Sequence, residues 1–369
     1  MTRVVIVGCG IIGAMVAYEL SRQPHFTVTV IDQHRPGQGA TGAALGILMG
    51  VISHKTKGRN WRLREESLRR YETLLPELEA LTGISIPHNR QGILSLCTDA
   101  EALPRWESLQ ARRERQGWPL EIWSPQQVKT ACPHLEPANL VAGIYSPCDL
   151  QIAPKALTQA LVESAKHHGA DCIFNSLVTG FQAVDGQVNA VKTPSSCYSA
   201  DAVVITAGLG SAALSQSLGT EMAIGPVLGQ GIRVRMPFSL GNEDFQPVIN
   251  SHDVHLVPLG NREYGVAATV EFPPDNGKPL QANPSQLEAM WQVAVNYCPF
   301  LIQGKRLEQW QGLRPRPQGR PAPIIEPLAD YANVWLATGH YRNGVFLAPA
   351  TAQQILQSLQ NQLSLQTQL

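Results

Sequence analysis

The sequence predicts an α/β fold: a Rossmann-like parallel sheet built from the two ends of the chain, with a mostly antiparallel α+β block set between them. Three observations carry this. An apolar run, Val4-Val5-Ile6-Val7, breaks into Gly8-Cys9-Gly10-Ile11-Ile12-Gly13; a helical pattern follows through Ala17 and Leu20, then a second apolar run, Val28-Thr29-Val30-Ile31, ends on Asp32. Two later apolar runs, Val203-Val204-Ile205 and Val334-Trp335-Leu336, end in small residues, as buried parallel strands do. Between Gly225 and about Phe300 apolar and polar residues alternate, which marks half-buried antiparallel strands.

The first stretch reads strand, glycine turn, helix, strand, acid, and each part has a task in holding a dinucleotide. Gly8 permits the tight turn off the strand. Gly10 lets the backbone approach a pyrophosphate, and Gly13 lets the helix pack closely on the sheet. Phosphates then lie at a helix N-terminus, where unpaired N–H groups and the helix dipole favour negative charge. Asp32 ends the second strand, where a carboxylate accepts hydrogen bonds from a ribose diol. The run is too short to cross a bilayer and lacks a basic leader.

Arg35 to Gly46 is small and nearly free of side chains, suited to close backbone approach to a large flat ligand, and Ile47 to Ile52 returns to the interior. The basic run Lys55 to Arg70 is broken by Glu65 and Glu66, with Leu68, Tyr71, Leu75 and Leu78 on one face; it reads as a solvated amphipathic helix rather than a nucleic-acid patch. Short strands are expected from Ile84 to Leu96, a helix from Asp99 to Gln116, a helix start at Ser124-Pro125 and a strand edge at Gly143-Ile144-Tyr145. A helix runs from Lys155 to His167, with His167-His168 at its C-terminal end. Cys172 to Phe174 and Ser176 to Phe181 read as strands and Val184 to Val188 as a hairpin. Asn283-Pro284 opens a helix to Tyr297, and the chain ends in an amphipathic helix carrying Ala352, Ile355, Leu356, Leu359 and Leu363 on one face. His252 and His255 point to opposite faces of a strand in this reading, so no metal site is expected. Arg314 and Arg342 sit in loops fixed by glycine and proline, where a guanidinium fork suits a carboxylate.

A chain of 369 residues can hold two domains with separate cores. With 44% hydrophobic and 16% charged residues it is globular, and a net charge of zero argues against nucleic acid or an anionic membrane as its main partner. The seven cysteines are scattered and odd in number, which suits a reduced set in a cytoplasmic protein without an integral membrane segment. Oligomeric state is left open. No G-x-S-x-G occurs to support a serine hydrolase.

These residues resemble the D-amino-acid-oxidase family of flavoproteins, above all its glycine-oxidase branch. The resemblance is carried by the first glycine turn with Asp32, by Gly39-Ala40-Thr41-Gly42-Ala43-Ala44-Leu45-Gly46, by Thr206-Ala207-Gly208, by Gly312-Leu313-Arg314-Pro315, and by Gly339-His340-Tyr341-Arg342-Asn343-Gly344-Val345-Phe346-Leu347-Ala348-Pro349-Ala350-Thr351. It implies non-covalent FAD rather than NAD. It also implies an FAD-binding domain (1–80, 146–220 and 305–369) interleaved with a substrate domain (81–145 and 221–304). Under that resemblance Gly8, Gly10, Ile11, Ile12, Gly13, Asp32 and Gln33 hold the ADP portion, and Val178 offers its backbone to the adenine. Thr41, Gly42, Ala43, Ala44, Gly46, Ile47 and Leu48 line the pyrophosphate and flavin approach, with Thr206, Ala207, Gly208 and Gly312 beside them. His340, Arg342, Asn343, Gly344, Val345, Phe346 and Leu347 complete the cofactor site, the last helix facing the flavin pyrimidine. Arg314 grips a substrate carboxylate and also borders the cofactor, Arg342 assists, and His255 stands where the family usually has a tyrosine. The implied reaction is oxidation of glycine or a small D- or N-methyl amino acid, with oxygen as acceptor, giving an oxoacid, ammonia and hydrogen peroxide; the family's imine can also feed thiamine thiazole synthesis. The alternatives are a D-amino-acid dehydrogenase with another acceptor, a flavin-binding subunit without turnover and, more remotely, an NAD dehydrogenase.

Overall fold

The computed structural model describes residues 1–274 and 279–366; parts of the expected ranges 221–304 and 305–369, at 275–278 and 367–369, lie outside the described residues. Two large sheets organise the chain. The first has the spatial order Ile324–Pro327, Val334–Thr338, Ala202–Ile205, Thr2–Val7, Phe26–Ile31, Asp171–Ile173; every pairing is parallel except that of the first two. The opening strand is central, so the glycine turn lies at the middle of the sheet. The second sheet runs Lys305–Pro317, Ile224–Arg235, Glu263–Ala267, Val254–Gly260, Val248–Ser251, Ile93–Cys97, Ala142–Ser146, Glu121–Trp123. It is antiparallel apart from the Val248–Ser251 and Ile93–Cys97 pair.

The first helix, Ile11–Ser21, is apolar on nearly all sides and is buried on all sides, as such a sequence requires. It packs between the parallel sheet, the helix Pro154–His167 and the last helix, Gly344–Gln366. Its one buried acid, Glu19, pairs with Arg22 and Arg70. The other face of the parallel sheet is covered by the hairpin sheet of Gly180–Val184, Gln187–Lys192 and Cys197–Ser199. A second core lies between the large antiparallel sheet and the helix Pro284–Tyr297, which Asn283 caps by accepting the Ser285 N–H. Ser124 and Gln127 form a reciprocal capping box at the helix Pro125–Ala131.

Several local expectations change in three dimensions. The strand Ala142–Ser146, expected at an edge, is interior, with Glu121–Trp123 outside it. Residues 176–179 lie outside any strand, which begins only at Gly180. His252 and Asp253 form the turn between two strands, both with positive φ, so His252 does not share a strand with His255. Lys305–Pro317 pairs along its length with Ile224–Arg235, so Trp310 to Arg314 belongs to the antiparallel sheet and is not a loop of the parallel half. Gly312 and Pro315 suggest a loop, but this strand is at the sheet edge, where a missing N–H is tolerated.

The long helix Gly58–Thr82 carries Trp61, Arg64, Leu68, Tyr71, Leu75 and Leu78 on its inner face and stops at Gly83, whose φ of +68° and N–H to the Glu79 carbonyl form the cap. The helix is thus amphipathic as expected, with Arg59, Arg62 and Arg69 exposed on its outer face, but Arg64 turns inward. It also repairs the last helix. Pro349 has no N–H to give the Val345 carbonyl, and the Tyr71 hydroxyl donates to that carbonyl instead, at 2.5 Å.

The segment after the short strand Ile47–Leu48 goes into the core without a strand partner, so its backbone groups need side chains. Buried Asp149 accepts the N–H groups of Gly50, Val51 and Ile52 at 2.6–2.9 Å. Buried Arg113 donates to the carbonyls of Val51 and Ser53 at 2.7 and 2.6 Å and stacks on Trp61. Asp149→Ala strands three buried donors and should cost about 3 kcal/mol, read as a lower denaturation midpoint; an unchanged midpoint would show that water replaces the carboxylate.

Candidate active site

A cavity of about 680 Å³ runs along the C-terminal ends of the parallel strands and opens between the two large sheets. Its first wall is the glycine turn. Gly8 has a φ of +105°, and a Cβ there would lie 2.8 Å from Ala207 Cα. A Cβ on Gly13 would overlap the Gly8 carbonyl oxygen and crowd the Thr206 hydroxyl, which donates to the carbonyls of Val7 and Gly8 at 3.1 and 2.7 Å. The first helix therefore starts against the strand with no side chain between them. Gly10 occupies its N-cap without a side-chain cap. Ile11 N–H donates to the Thr41 hydroxyl at 3.0 Å, which fixes the short 3-10 helix Ala40–Ala43 over the turn. Asp32 accepts the N–H groups of Cys9 and His34 at 2.5 and 2.8 Å and still faces the cavity.

The far wall comes from the antiparallel sheet and the end of the chain. Arg314 stands opposite Val227, and its guanidinium lies across Gly229, where a Cβ would overlap it. Its Nη1 donates to the Leu228 and Thr269 carbonyls at 3.1 and 3.2 Å. Burial, then the charge of Arg342, holds its basicity below that of an ordinary arginine. Two residues along, a Cβ on Gly231 would overlap the Trp310 ring, whose N–H donates to the Ala43 carbonyl at 3.1 Å. His255 is buried between Asn250 and Ala267, with Nδ1 unpartnered. Arg342 and Asp253 pair at 3.5 Å on the exposed rim. His340 bonds Thr351 at 2.9 Å inside the last helix.

The structure brings most of the sequence-derived residues to this cavity: Gly8, Gly10, Ile11, Ile12, Asp32, Gln33, Thr41, Ala43, Ala44, Gly46, Ile47, Val178, Thr206, Ala207, Gly208, Gly312, Arg314, His255, His340, Arg342, Asn343, Gly344, Val345 and Phe346. Four stand off its wall. Gly13 serves packing; Gly42 faces Gly37 and Lys155; Leu48, the neighbour of Ile47 in a strand, turns to the core; Leu347 turns into the helix packing. Gly229, Trp310, Asp253, Met49 and Arg64 went unrecognised as wall residues, and Gly231 as the seat of the Trp310 ring. Gly229-Gln230-Gly231 inside a strand pattern was the available signal, since glycine there marks close approach.

The FAD dependent oxidoreductase family profile matches residues 3–357. The chain belongs to this family. It is 31% identical to a glycine oxidase of Pseudomonas putida, over 95% of this chain and 92% of that one. It is likewise 31% identical to a bifunctional ThiO/ThiG protein of Trichormus variabilis, over 95% of this chain but only 52% of that longer one. The fold superposes on the crystal structure of glycine oxidase from Geobacillus kaustophilus with a TM-score of 0.87 at 25% identity, covering 98% of this chain and 95% of that one. FAD is the family's cofactor, and the residues present fit it. A helix N-terminus with glycine as its N-cap and a backbone cradle cleared of Cβ atoms open into one cavity, a setting made for a pyrophosphate.

Gly13→Ala puts a methyl into the Gly8 carbonyl and should weaken FAD binding at least tenfold, measured by reconstituting the apoprotein; unchanged affinity would mean that the helix can retreat without opening the cradle. His255 has a pH signature. Burial, with Arg342 adding and Asp253 opposing, pushes its imidazole down to about 4, whereas in the unfolded chain it protonates near 6.5. The unfolded state thus binds the extra proton between these values, and stability falls as pH drops from about 6.5 towards 4. His255→Gln should flatten that fall in denaturation curves; equal slopes would assign it to another group.

Proposed function

We propose that the chain oxidises glycine or a small D- or N-methyl amino acid in this cavity, giving an oxoacid, hydrogen peroxide and ammonia, or methylamine where the substrate is N-methylated. The observation that carries the reading is Arg314. Its guanidinium is seated across Gly229 and fixed on one side by two carbonyls, leaving its remaining donors for a carboxylate in the cavity. FAD, when bound, supplies the acceptor for the two electrons that leave the substrate's C–H and N–H bonds. The chain's residues supply position. Arg314 holds the carboxylate and so orients the α-carbon. Trp310 and Leu313 line the site, and neutral His255 offers a hydrogen bond where the family usually has a tyrosine's hydroxyl. Water hydrolyses the released imine, and oxygen takes the two electrons and two protons to become peroxide. A contribution to thiamine thiazole assembly belongs to the same proposal; the likeness to the ThiO/ThiG protein supports it.

Anaerobic addition of glycine, sarcosine or D-alanine should bleach the flavin band, and air should restore it with peroxide. Bleaching without recovery in air would favour a dehydrogenase, and no bleaching by any of them would overturn the amino-acid reading. Arg314→Ala should raise KM for every carboxylate-bearing substrate tenfold or more while FAD stays bound. An unchanged KM would remove Arg314 from that role.

A further inference from the structure

The Arg314 guanidinium is held by two neutral carbonyls, those of Leu228 and Thr269. The second of these is not placed by a sheet ladder. The strand ends at Ala267, and residues 268–270 lie outside any strand. Thr269 N–H donates to the Gln230 carbonyl at 3.2 Å, and the next contact is made by Glu271. Leu228 and Glu271 exchange both backbone bonds, at 2.9 and 3.0 Å. The Leu228 carbonyl therefore serves Glu271 N–H and Arg314 together.

The side chain of Glu271 completes this fastening. The residue is 4% exposed. Its Oε1 accepts the Thr269 hydroxyl at 2.6 Å and Gln230 Nε2 at 2.7 Å, and its Oε2 accepts Asn283 N–H at 2.8 Å. The same Thr269 hydroxyl accepts Gln230 N–H at 2.9 Å, and Gln230 also donates to the Asn283 carbonyl at 2.9 Å. Every contact brings a hydrogen to the carboxylate, which suits a group that only accepts. Both oxygens are committed to neutral donors. The Glu271 charge acts on Arg314 while leaving the guanidinium unoccupied. An acid bonded directly to Arg314 would take the donors that a ligand carboxylate needs.

We propose that Glu271 is the positioning residue for Arg314: it fixes the Leu228 and Thr269 carbonyls and so presents the guanidinium to the cavity in one orientation. Glu271 touches neither ligand nor cofactor and acts through the two carbonyls. A glutamine in its place would turn an NH2 group towards one of three donors and loosen the segment. The inference rests on Arg314 binding a carboxylate, as set out under the proposed function.

The test is a double-mutant cycle on the flavin-loaded protein. Acetate is the probe, because it carries a carboxylate and no amine; its binding is followed by calorimetry and by the flavin band. Glu271→Gln should bind acetate about tenfold more weakly, as Arg314→Ala does, with FAD retained. In the Arg314→Ala background Glu271→Gln should change acetate affinity by less than about threefold, because its effect passes through the missing guanidinium. Glu288→Gln, on the exposed face of the helix Pro284–Tyr297, is the control and should bind like wild type. Wild-type affinity in Glu271→Gln, or an equal loss in both backgrounds, would overturn the proposal; the second result is what a merely structural role gives. If Glu271→Gln does not keep FAD, Thr269→Val decides by the same cycle, since it removes only the hydroxyl link. Acetate binding that is absent from wild type, or unchanged by Arg314→Ala, would instead overturn the carboxylate role of Arg314 itself. The two failures are thus separately visible.

Discussion

At Gly8 the opening strand passes so close to Ala207 that there is no room for a side chain on either side of the turn. The Thr206 hydroxyl bonds back to Val7 and Gly8, and Gly13 lays the first helix on the same carbonyl. This three-way backbone contact sets the distance between helix and sheet. That distance decides where the helix N-terminus points, and the glycine N-cap, with no side chain in the way, is the reason that an anion-bearing cofactor fits. Thr41, Asp32 and the strand Ala202–Ile205 all take their places from it. The antiparallel sheet then needs only to close over a preformed cradle, which it does through the Trp310 bond to Ala43.

The cofactor cradle and the proposed substrate groups come from different parts of the architecture. The cradle is made at the ends of parallel strands, where residues with little or no side chain leave the backbone exposed. The proposed carboxylate pocket is made on the face of an antiparallel sheet, where Gly229 leaves room for the Arg314 guanidinium and Gly231 for the Trp310 ring. The two share a boundary at Gly312, whose missing Cβ admits Ala43.

What the sequence revealed followed the range of the interaction. The glycine turn, the caps at Ser124 and Asn283 and the apolar parallel strands depend on neighbours within a few residues, and they could be read directly. Arg64 could not. It sits in a run of charges that looks solvated, and only the packing of that helix against the last one turns it inward. Gly229 and Gly231 make sense only in register with a strand about eighty residues on. Leu48 and Leu347 went astray for a simpler reason: adjacent residues on a strand or helix face different ways, so a motif that touches a ligand cannot do so through every member.

The spatial order of the parallel sheet also has a history in synthesis. Its central strand leaves the ribosome before its neighbours, and Phe26–Ile31 reaches it at once, but the neighbour on its other side is Ala202–Ile205. The last helix, which covers the first helix and closes one end of the cavity, arrives from residue 344 onward. Most of the chain must therefore be made while an apolar strand and an apolar helix wait for their partners, a state in which exposed edges invite aggregation. The cavity is walled only after the last helix has been made, so it joins residues as far apart in translation as Val7 and Phe346.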